Sequence, residues 1–395
     1  MKWKYKKLEE AVRAIEINTH LLGRIENCNV DSAVGRVLAR NVIANISIPP
    51  WNRSAVDGYA VRSADLKERG KVTLTLLGNV YAGEFTDTKM RSGYCMTIAT
   101  GAPVPDGADA VVMMEYASAS GGRVTVSGNV RKWDNISRKG VDIIRGRNIA
   151  ANGTRLTAGV IGALSSQGIG EVPVAARPEV AIIPGGDEIA AQGSHAAHGQ
   201  IYDVNSHVVA AVVTCAGGKP FIHNPVRDTS EEFRKALEWG LGKDICVFVS
   251  GSSVGEKDLT AATIISRGKL LFHGVRMRPG RPTMFGVVDG KPVFGLPGYP
   301  VSSFIGAHLL LRRCIMRMTG ERIVEEPAVK RIYRGMEHAA PEFMSVIPVR
   351  ITGKSAYPVF KESGAITSIS EASGLVMIHA GKSIRKGQRV DVSLL

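Results

Sequence analysis

The sequence predicts a multidomain protein of mixed α/β and β class, built around a three-layer α/β domain with a mostly parallel sheet. Three observations support this prediction. The chain has 395 residues, a length typical of two to four domains. Strands alternate with helices after residue 179, as they do in βαβ units. The segments before and after this region contain short alternating runs punctuated by glycine, which indicate β-structure.

The first predicted element is an amphipathic helix within residues 6–23. Leu8 and Ile15 lie at helical spacing, and Gly23 can cap the end of the helix. Short β-like runs follow. The proline pair within Ile48–Trp51 then interrupts regular structure and predicts a boundary.

Residues 52–140 read as an all-β region with alternating runs such as VTLTLLGNV. After Gly140 the pattern changes, with a helix predicted at Thr157–Gly168 and a short strand in EVPVAARP. These changes of pattern predict domain boundaries near Ile48, Gly140 and Pro178.

The α/β region is predicted to follow, and Asp-Gly in its hairpin is a strong turn signal. Its elements are a strand at Val180–Ile183, helices at Asn205–Ala216 and Ser230–Leu241, a strand at Ile245–Val249, a helix from Leu259 to Ser266, a hairpin of Thr283–Val288 and Pro292–Leu296, and a helix at Val301–Met318. From about Glu326 the sequence is β-like again, which predicts a small C-terminal β-domain.

Composition and charge limit the kinds of partner. The net charge is +14, which indicates either solubility alone or an anionic partner. The basic residues are scattered and aromatic residues make up only 6%, so a small anionic ligand is favoured over nucleic acid. Five widely spaced cysteines without a CxxC pair favour a reducing cytoplasm. The sequence offers neither a signal peptide nor an apolar run long enough for a membrane span.

Two predicted strands of the α/β region end in small residues followed by acids. Val249 leads into SGSSVGEKDLT, and Ile183 leads into PGGDEI. Loops of this kind let backbone N–H groups approach a phosphate, and nearby carboxylates suit Mg²⁺. We therefore expect Asp187, Glu188 and Asp258 to converge at one site, although the loop of Asp258 taken alone favours a helix N-cap over a metal ligand.

Two further loops can face an anion. In MRPGRPTMFG, Arg278 and Arg281 flank a Pro-Gly turn, and guanidinium groups bind oxyanions with two hydrogen bonds. In GLPGYPVSS, two Pro and two Gly residues precede a helix with Ser302 in its first turn. Each pattern is weak alone, and the Asp57-Gly58 and Thr100-Gly101 pairs of the all-β region read as ordinary turns.

Together these segments resemble the MoeA/gephyrin E-domain family of molybdopterin molybdenumtransferases. SAVDGYAV, ATGAPVPDGADAVV, GGDEI, SSVGEKD, RPGRP and LPGYPVS are similar to six motifs of that family in the same order. The resemblance extends from about Leu8 to Leu395.

The resemblance implies four domains. They are an elongated, discontinuous N-terminal domain (1–48 and 140–178), an inserted β-domain (49–139), a MogA-like molybdopterin-binding α/β domain (179–325) and a C-terminal β-barrel (326–395). It also implies a homodimer in which the inserted domain of one subunit faces the α/β domain of the other. Transient contacts with the molybdopterin adenylyltransferase and with apo-molybdoenzymes would follow from this role.

The implied reaction joins molybdate to adenylylated molybdopterin and releases AMP, with Mg²⁺ as the cofactor. The resemblance assigns the metal and the phosphoanhydride to Asp187, Glu188 and Asp258. Asp57, Thr100 and Asp142 would complete the cleft, and Asp228 is a looser match. The remaining implied substrate-binding residues are Ser250, Gly251, Ser253, Gly255, Lys257, Arg278, Pro279, Gly280, Arg281, Pro297, Gly298, Pro300, Ser302 and Ser363.

The sequence departs from the family pattern at the presumed oxyanion end. Gly185, Ser250 and Tyr299 replace the usual Thr, Gly and Asn, arginines replace both lysines of the Pro-Gly turn, and Ser345 replaces a basic residue. These changes leave tungstate open as an alternative substrate, as well as a paralogue that only binds the nucleotide intermediate. A scaffold role like that of gephyrin is the remote alternative.

Overall fold

A computed structural model describes residues 4–66, 70–127, 130–190, 192–193, 195–251, 258–322 and 328–395. Its first part contains α1 (Leu8–Ile17), β1 (Ile25–Asn29), β2 (Val42–Ile43), β3 (Arg53–Ser54), β4 (Gly58–Val61), β5 (Lys71–Val80), β6 (Tyr94–Ile98), β7 (Ala110–Met113), β8 (Ala117–Ser120), β9 (Arg123–Ser127), β10 (Ile136–Ser137), β11 (Asn148–Ala150), α2 (Ala158–Ser165) and β12 (Glu171–Ala175).

The central part contains β13 (Glu179–Gly185), β14 (Ile189–Ala190), β15 (Ile201–Tyr202), α3 (Asn205–Cys215), β16 (Lys219–Ile222), α4 (Ser230–Leu241), β17 (Ile245–Ser250), α5 (Leu259–Arg267), β18 (Gly268–His273), β19 (Met277–Arg278), β20 (Met284–Val288), β21 (Lys291–Pro297), α6 (Pro300–Gly306) and α7 (Arg312–Thr319). A π-helical turn at Ala307–Leu311 joins α6 to α7. The last part contains β22 (Ala328–Tyr333), β23 (Glu337–His338), β24 (Met344–Thr352), β25 (Ser355–Pro358), α8 (Thr367–Ser370), β26 (Gly374–Ile378), β27 (Ser383–Ile384) and β28 (Arg389–Leu394).

The N-terminal lobe is made of two separate stretches of chain. Antiparallel pairing of β1 with β12 and of β2 with β11 joins them. A small core that includes Val30, Leu38, Leu156 and Leu164 is buried between them. Between these stretches, β7, β4, β6, β5, β9 and β8 form one six-stranded sheet in that order, with buried clusters around Leu74 and around Ile98.

The α/β region has the predicted three layers. Its sheet has the order β16-β13-β17-β21-β20-β18, in which the first four strands are parallel and β20 is antiparallel to both of its neighbours, its hairpin partner β21 and the edge strand β18. Helices α4 and α5 pack on one face, and α3, α6, α7 and α1 pack on the other. The predicted Asp-Gly turn is confirmed, because Asp289 and Gly290 both have positive φ, of 50° and 77°.

Helix α1 ends earlier than the sequence predicts. The side-chain amide of Asn18 donates to the carbonyl oxygen of Ala14 at 2.8 Å, and this bond caps the helix at Ile17. Leu22 therefore lies beyond the helix, although its hydrophobic side chain still packs against the core.

The C-terminal region is a closed five-stranded barrel. Its strands pair in the order β24-β25-β22-β28-β26, and a further pairing of β26 with β24 closes the ring. The short strand β19 of the α/β region adds to this barrel in parallel with β24, with Met277 opposite Met344 and Arg278 opposite Ser345. A strand from the α/β region of the chain therefore belongs to the sheet of the barrel. Across the described ranges, no helix combines the length and the apolar character that a bilayer crossing requires.

Candidate functional site

A cavity of about 1350 Å³ lies between the carboxyl ends of the parallel strands and the C-terminal barrel. Three neighbouring strands, β13, β17 and β21, end at its floor. Their register places Gly185 opposite Ser250 and Ser250 opposite Pro297, so the three exits are side by side. This is the edge of an open α/β sheet at which ligands usually bind.

Close backbone contact explains the small residues of this floor. A Cβ atom on Gly298 would lie 3.1 Å from both the Cα and the N atom of Gly251. The exits of β17 and β21 therefore touch backbone to backbone. The Nδ2 atom of Asn205 donates to the carbonyl oxygen of Gly298 at 2.6 Å and holds that turn from the side.

Most of the residues predicted to bind substrate are brought together here. The cavity wall includes Glu188, Ser250, Gly251, Arg278, Pro279, Gly280, Arg281, Pro297, Gly298, Pro300, Ser302 and Ser363. Ser253, Gly255 and Lys257 lie outside the described residues. The glycine-rich and arginine-containing loops thus share one site, as the sequence predicts.

In the arginine loop, residues 278–281, each of the two guanidinium groups lies over an aromatic ring. The Cζ atom of Arg278 lies 4.3 Å from the centroid of the Phe343 ring, and that of Arg281 lies 5.8 Å from the centroid of Tyr5. Within the described ranges, neither guanidinium group has a hydrogen-bond or ion-pair acceptor. Their N–H donors are therefore available to an anion in the cavity.

Asp258 is held as a structural cap. Its Oδ1 atom accepts the N–H of Ala261 at 3.0 Å, which caps α5, and its Oδ2 atom lies 2.8 Å from Nε2 of His273. The side chain is 13% exposed and is absent from the described cavity wall. The N-cap interpretation of Asp258 is thus confirmed, and its role toward a metal stays a prediction.

Three carboxylates, those of Asp187, Glu188 and Asp228, lie near one another where β13 ends. The backbone N–H of Asp228 donates to Oδ1 of Asp187 at 3.4 Å. Burial, followed by the nearby carboxylates of Asp187 and Glu188, raises the pKa of Asp228. Gly186 has a φ of 147°, and a Cβ atom there would lie 2.8 Å from the Glu188 carboxylate, which folds back over it.

These carboxylates do not form a metal cage by themselves. Among the residues that the structure describes, no three His, Cys, Asp or Glu side chains are placed to hold one ion. Mg²⁺, however, is commonly bound through one or two carboxylates together with substrate phosphates. Glu188 on the cavity wall, with Asp187 beside it in the chain, fits that smaller requirement.

Asp57, Thr100 and Asp142 lie elsewhere in the same chain. The backbone N–H of Thr100 donates to Oδ1 of Asp57 at 2.7 Å, and this bond is the main reason that the pKa of Asp57 is lowered. Asp142 is exposed, and its backbone N–H donates to the carbonyl oxygen of Ile48. None of the three belongs to the described cavity wall.

Several residues of the cavity belong to none of the motifs recognised in the sequence. Asp203 is 6% exposed, and its Oδ1 atom accepts the N–H of Ser206 at 3.0 Å at the start of α3. An acid two residues before an apolar helix is a cap signal that could have revealed it. Glu337 and Phe360 reach the cavity from the barrel, and no local pattern in the sequence indicates that they do.

The fold and the cavity define a multidomain α/β protein that binds a small molecule beyond the carboxyl ends of a parallel sheet and under a β-barrel. Comparison with known proteins identifies the family. Residues 6–168 match the MoeA N-terminal region (domains I and II), residues 181–317 a probable molybdopterin binding domain, and residues 336–395 the MoeA C-terminal region (domain IV). The chain belongs to the MoeA family.

Individual relatives agree with this assignment. The molybdopterin molybdenumtransferase of Haemophilus influenzae is 32% identical over 304 residues, which cover 76% of this chain and 75% of that protein. The protein of the same name from Staphylococcus epidermidis is 28% identical over 398 residues, covering 98% and 95%. A crystal structure of the molybdopterin biosynthesis MoeA protein from Pyrococcus horikoshii has a TM-score of 0.84 at 28% identity and covers 99% of this chain and all of that chain.

The predicted family, the fold class and the place in molybdenum cofactor biosynthesis are thereby confirmed at the level of the family. The domain boundaries and the roles of single residues stay predictions.

Proposed function

We propose that this chain inserts molybdate into adenylylated molybdopterin, with release of AMP and in the presence of Mg²⁺. The observation that carries the proposal is the cavity between sheet and barrel. Strand exits made of small residues form its floor, and two guanidinium groups with no anionic partner among the described residues project from its wall. A phosphorylated pterin joined to AMP is strongly anionic, so this arrangement suits it.

We propose that the strand exits of the cavity bind the phosphates and that its arginines bind the oxyanion. Backbone N–H groups at the exits of β13, β17 and β21 face the phosphates, because small residues allow close approach. Arg278 and Arg281 donate to the tetrahedral oxyanion, and the hydroxyl groups of Ser302 and Ser363 are further donors. The protein thereby holds the oxyanion and the phosphoanhydride in one enclosed space.

We propose that Glu188 and Asp187 hold Mg²⁺ together with a phosphate of the substrate. The acids gathered around Asp228 support this role, because burial and then the carboxylates of Asp187 and Glu188 raise the pKa of Asp228, and a cation would relieve the repulsion among these acids. When bound, the ion would neutralise charge on the phosphoanhydride. Asp258 would join only by giving up its contact with His273.

The assembly belongs to the proposal as well. We propose a homodimer of subunits with the four domains given above, in which Asp57, Thr100 and Asp142 approach the α/β domain of the second subunit. The hydrogen bond from the Thr100 N–H to the Asp57 carboxylate supports such a role, because it holds these two residues side by side where they could approach a second subunit together. We also propose transient contact with the molybdopterin adenylyltransferase and with apo-molybdoenzymes, and a cytoplasmic location.

The test is AMP release from adenylylated molybdopterin, measured by chromatography with and without molybdate and Mg²⁺. We expect release that requires both. A protein that binds the nucleotide without turnover would contradict the proposal and favour the nucleotide-binding paralogue.

Tungstate is the second candidate substrate. Tyr299 and Ser345, two of the positions that depart from the family pattern, both lie on the cavity wall. The same assay with tungstate in place of molybdate decides between them, since the true substrate should support release at the lower concentration.

A further inference from the structure

The guanidinium groups of the arginine loop rest on aromatic rings that come from opposite ends of the chain. Arg278 lies over Phe343 of the barrel, and Arg281 lies over Tyr5 near the N-terminus. The two rings also touch each other, with centroids 5.9 Å apart and planes at 58°. The four side chains therefore form a row in the order Arg278, Phe343, Tyr5, Arg281.

Backbone pairing fixes both rings beside the loop. The N–H of Lys6 donates to the carbonyl oxygen of Gly274 at 3.1 Å, and the N–H of Arg276 donates back to Lys6 at 2.7 Å. On the other side, the N–H of Met344 donates to the carbonyl oxygen of Arg276 at 3.0 Å. The segment before the arginine loop is thus held between the N-terminal strand segment and the barrel strand β24.

Gly274 leaves room for the Tyr5 ring. A Cβ atom on Gly274 would lie 2.3 Å from Cδ1 of Tyr5, and Gly274 has a φ of 103°. The ring therefore occupies the space that any other side chain would need at that position. Phe343 is only 9% exposed, so the row is backed by packed structure.

The row leaves the arginines ready to bind an anion. A ring contacts the face of a guanidinium group, and the N–H groups at the edge remain free to donate. An unsupported arginine loses much side-chain entropy when it binds, whereas a supported one has already lost it. Arginine is also the cation that stacks best on a ring, in keeping with its presence at both positions.

We propose that Tyr5 and Phe343 are positioning residues that hold Arg278 and Arg281 in the orientation needed to bind the tetrahedral oxyanion. This inference rests on the proposed function for its kinetic consequence but not for its structural one. It makes the N-terminal segment a part of the site, although Tyr5 lies far from every motif of the cavity in the sequence.

The experiment compares variants that remove a ring with variants that keep one. Phe343→Leu and Tyr5→Leu keep apolar bulk but lose the ring, whereas Phe343→Tyr and Tyr5→Phe keep it. Tyr357→Leu is the matched control, because Tyr357 is a half-exposed ring of the same barrel outside the described cavity wall. Thermal unfolding of all five variants shows whether each is folded.

We expect the leucine variants to raise the KM for molybdate by about 5- to 30-fold, as the loss of one partly buried cation–π contact would. kcat and the KM for adenylylated molybdopterin should change less than about twofold. The ring-keeping variants and the control should stay near the wild type.

Equal changes in both KM values, or a leucine variant that behaves like the wild type, would overturn the inference. A crystal structure of Phe343→Leu gives a readout that does not need turnover. Arg278 should leave its wild-type position, and an unmoved guanidinium group would count against the proposal. If the wild type releases no AMP, the proposed function fails while this structural readout still decides the inference.

Discussion

At the scale of single residues, a glycine of the cavity floor and a glycine of a surface helix differ in what an added side chain would meet. Gly298 touches the backbone of Gly251, whereas a Cβ atom on Gly162 of α2 would meet nothing within 4 Å. The same substitution should therefore have opposite effects at the two positions.

We predict that Gly298→Ala lowers the free energy of unfolding by about 1–3 kcal/mol, because it overpacks the floor. AMP release should fall by at least about tenfold, since the exits of β17 and β21 must move apart. Gly162→Ala should instead stabilise the protein by about 0.5–1 kcal/mol, because alanine favours an unhindered helix. Urea unfolding and the AMP assay measure both, and unchanged activity in Gly298→Ala would remove that contact from the site.

The cysteines allow a second prediction at this scale. Burial raises the pKa of Cys95 to about 11 and that of Cys314 to about 12, and it also raises the pKa of Cys246. These thiols stay protonated at neutral pH and are shielded from reagents. Cys215 is exposed and Cys28 is half-buried.

We therefore expect Ellman's reagent at pH 8 to modify two of the five thiols in the native protein and all five after denaturation. Cys215→Ser should reduce the native value to one. Fast native modification of three or more thiols would show that a buried cysteine becomes accessible.

At the scale of elements, local signals in the sequence predict some boundaries well and others poorly. Helix α4 has the predicted limits Ser230–Leu241, because its periodicity and its Thr229 cap agree. The edge strand β16 was not predicted, since it has four residues and contains Pro220. Asp258 fits both a cap and a metal ligand, and residue type alone cannot separate these roles.

The start of α5 offers a prediction that separates them. Asp258→Ala should lower the free energy of unfolding by about 1 kcal/mol, because the N–H of Ala261 loses its acceptor. Asp258→Asn keeps an oxygen for that N–H and should cost less than about 0.5 kcal/mol.

Activity then assigns the second role of Asp258. If the carboxylate acts on the substrate or its metal, both variants should lose AMP release by at least about 100-fold while the asparagine variant stays folded. Full activity of Asp258→Asn in the chromatographic assay would confine Asp258 to the structural role.

At the scale of the whole molecule, the site is assembled from parts that are distant in the sequence. The strand exits could be predicted because each is a local motif at the end of an apolar run. The barrel residues Glu337 and Phe360, and the ring of Tyr5, could not, because only long-range pairing brings them to the cavity or beside its arginines. The closure of β26 on β24 is likewise set by register between distant strands.

Subunit mixing tests the proposed shared site. Asp57→Asn and Arg278→Ala should each reduce AMP release at least about tenfold in homodimers. If Asp57 of one subunit serves the cavity of the other, each mixed dimer contains one intact site of two and should recover up to about half of the wild-type rate per dimer. Mixed dimers that stay as inactive as either parent would rule out a site completed across the interface. As the control, two samples of the same variant are mixed, and their AMP release should not rise.

The pairing of β19 with the barrel strand β24 limits how the barrel can move relative to the cavity. Because Arg278 of β19 pairs with Ser345 of β24, movement of the barrel away from the cavity would break backbone pairing beside the arginines proposed to bind the oxyanion. Tyr202 and Tyr299 of the cavity wall are 47% and 65% exposed, so the cavity reaches solvent at this flank. In the proposed reaction, substrate exchange would therefore proceed with the barrel still paired to the α/β region through β19.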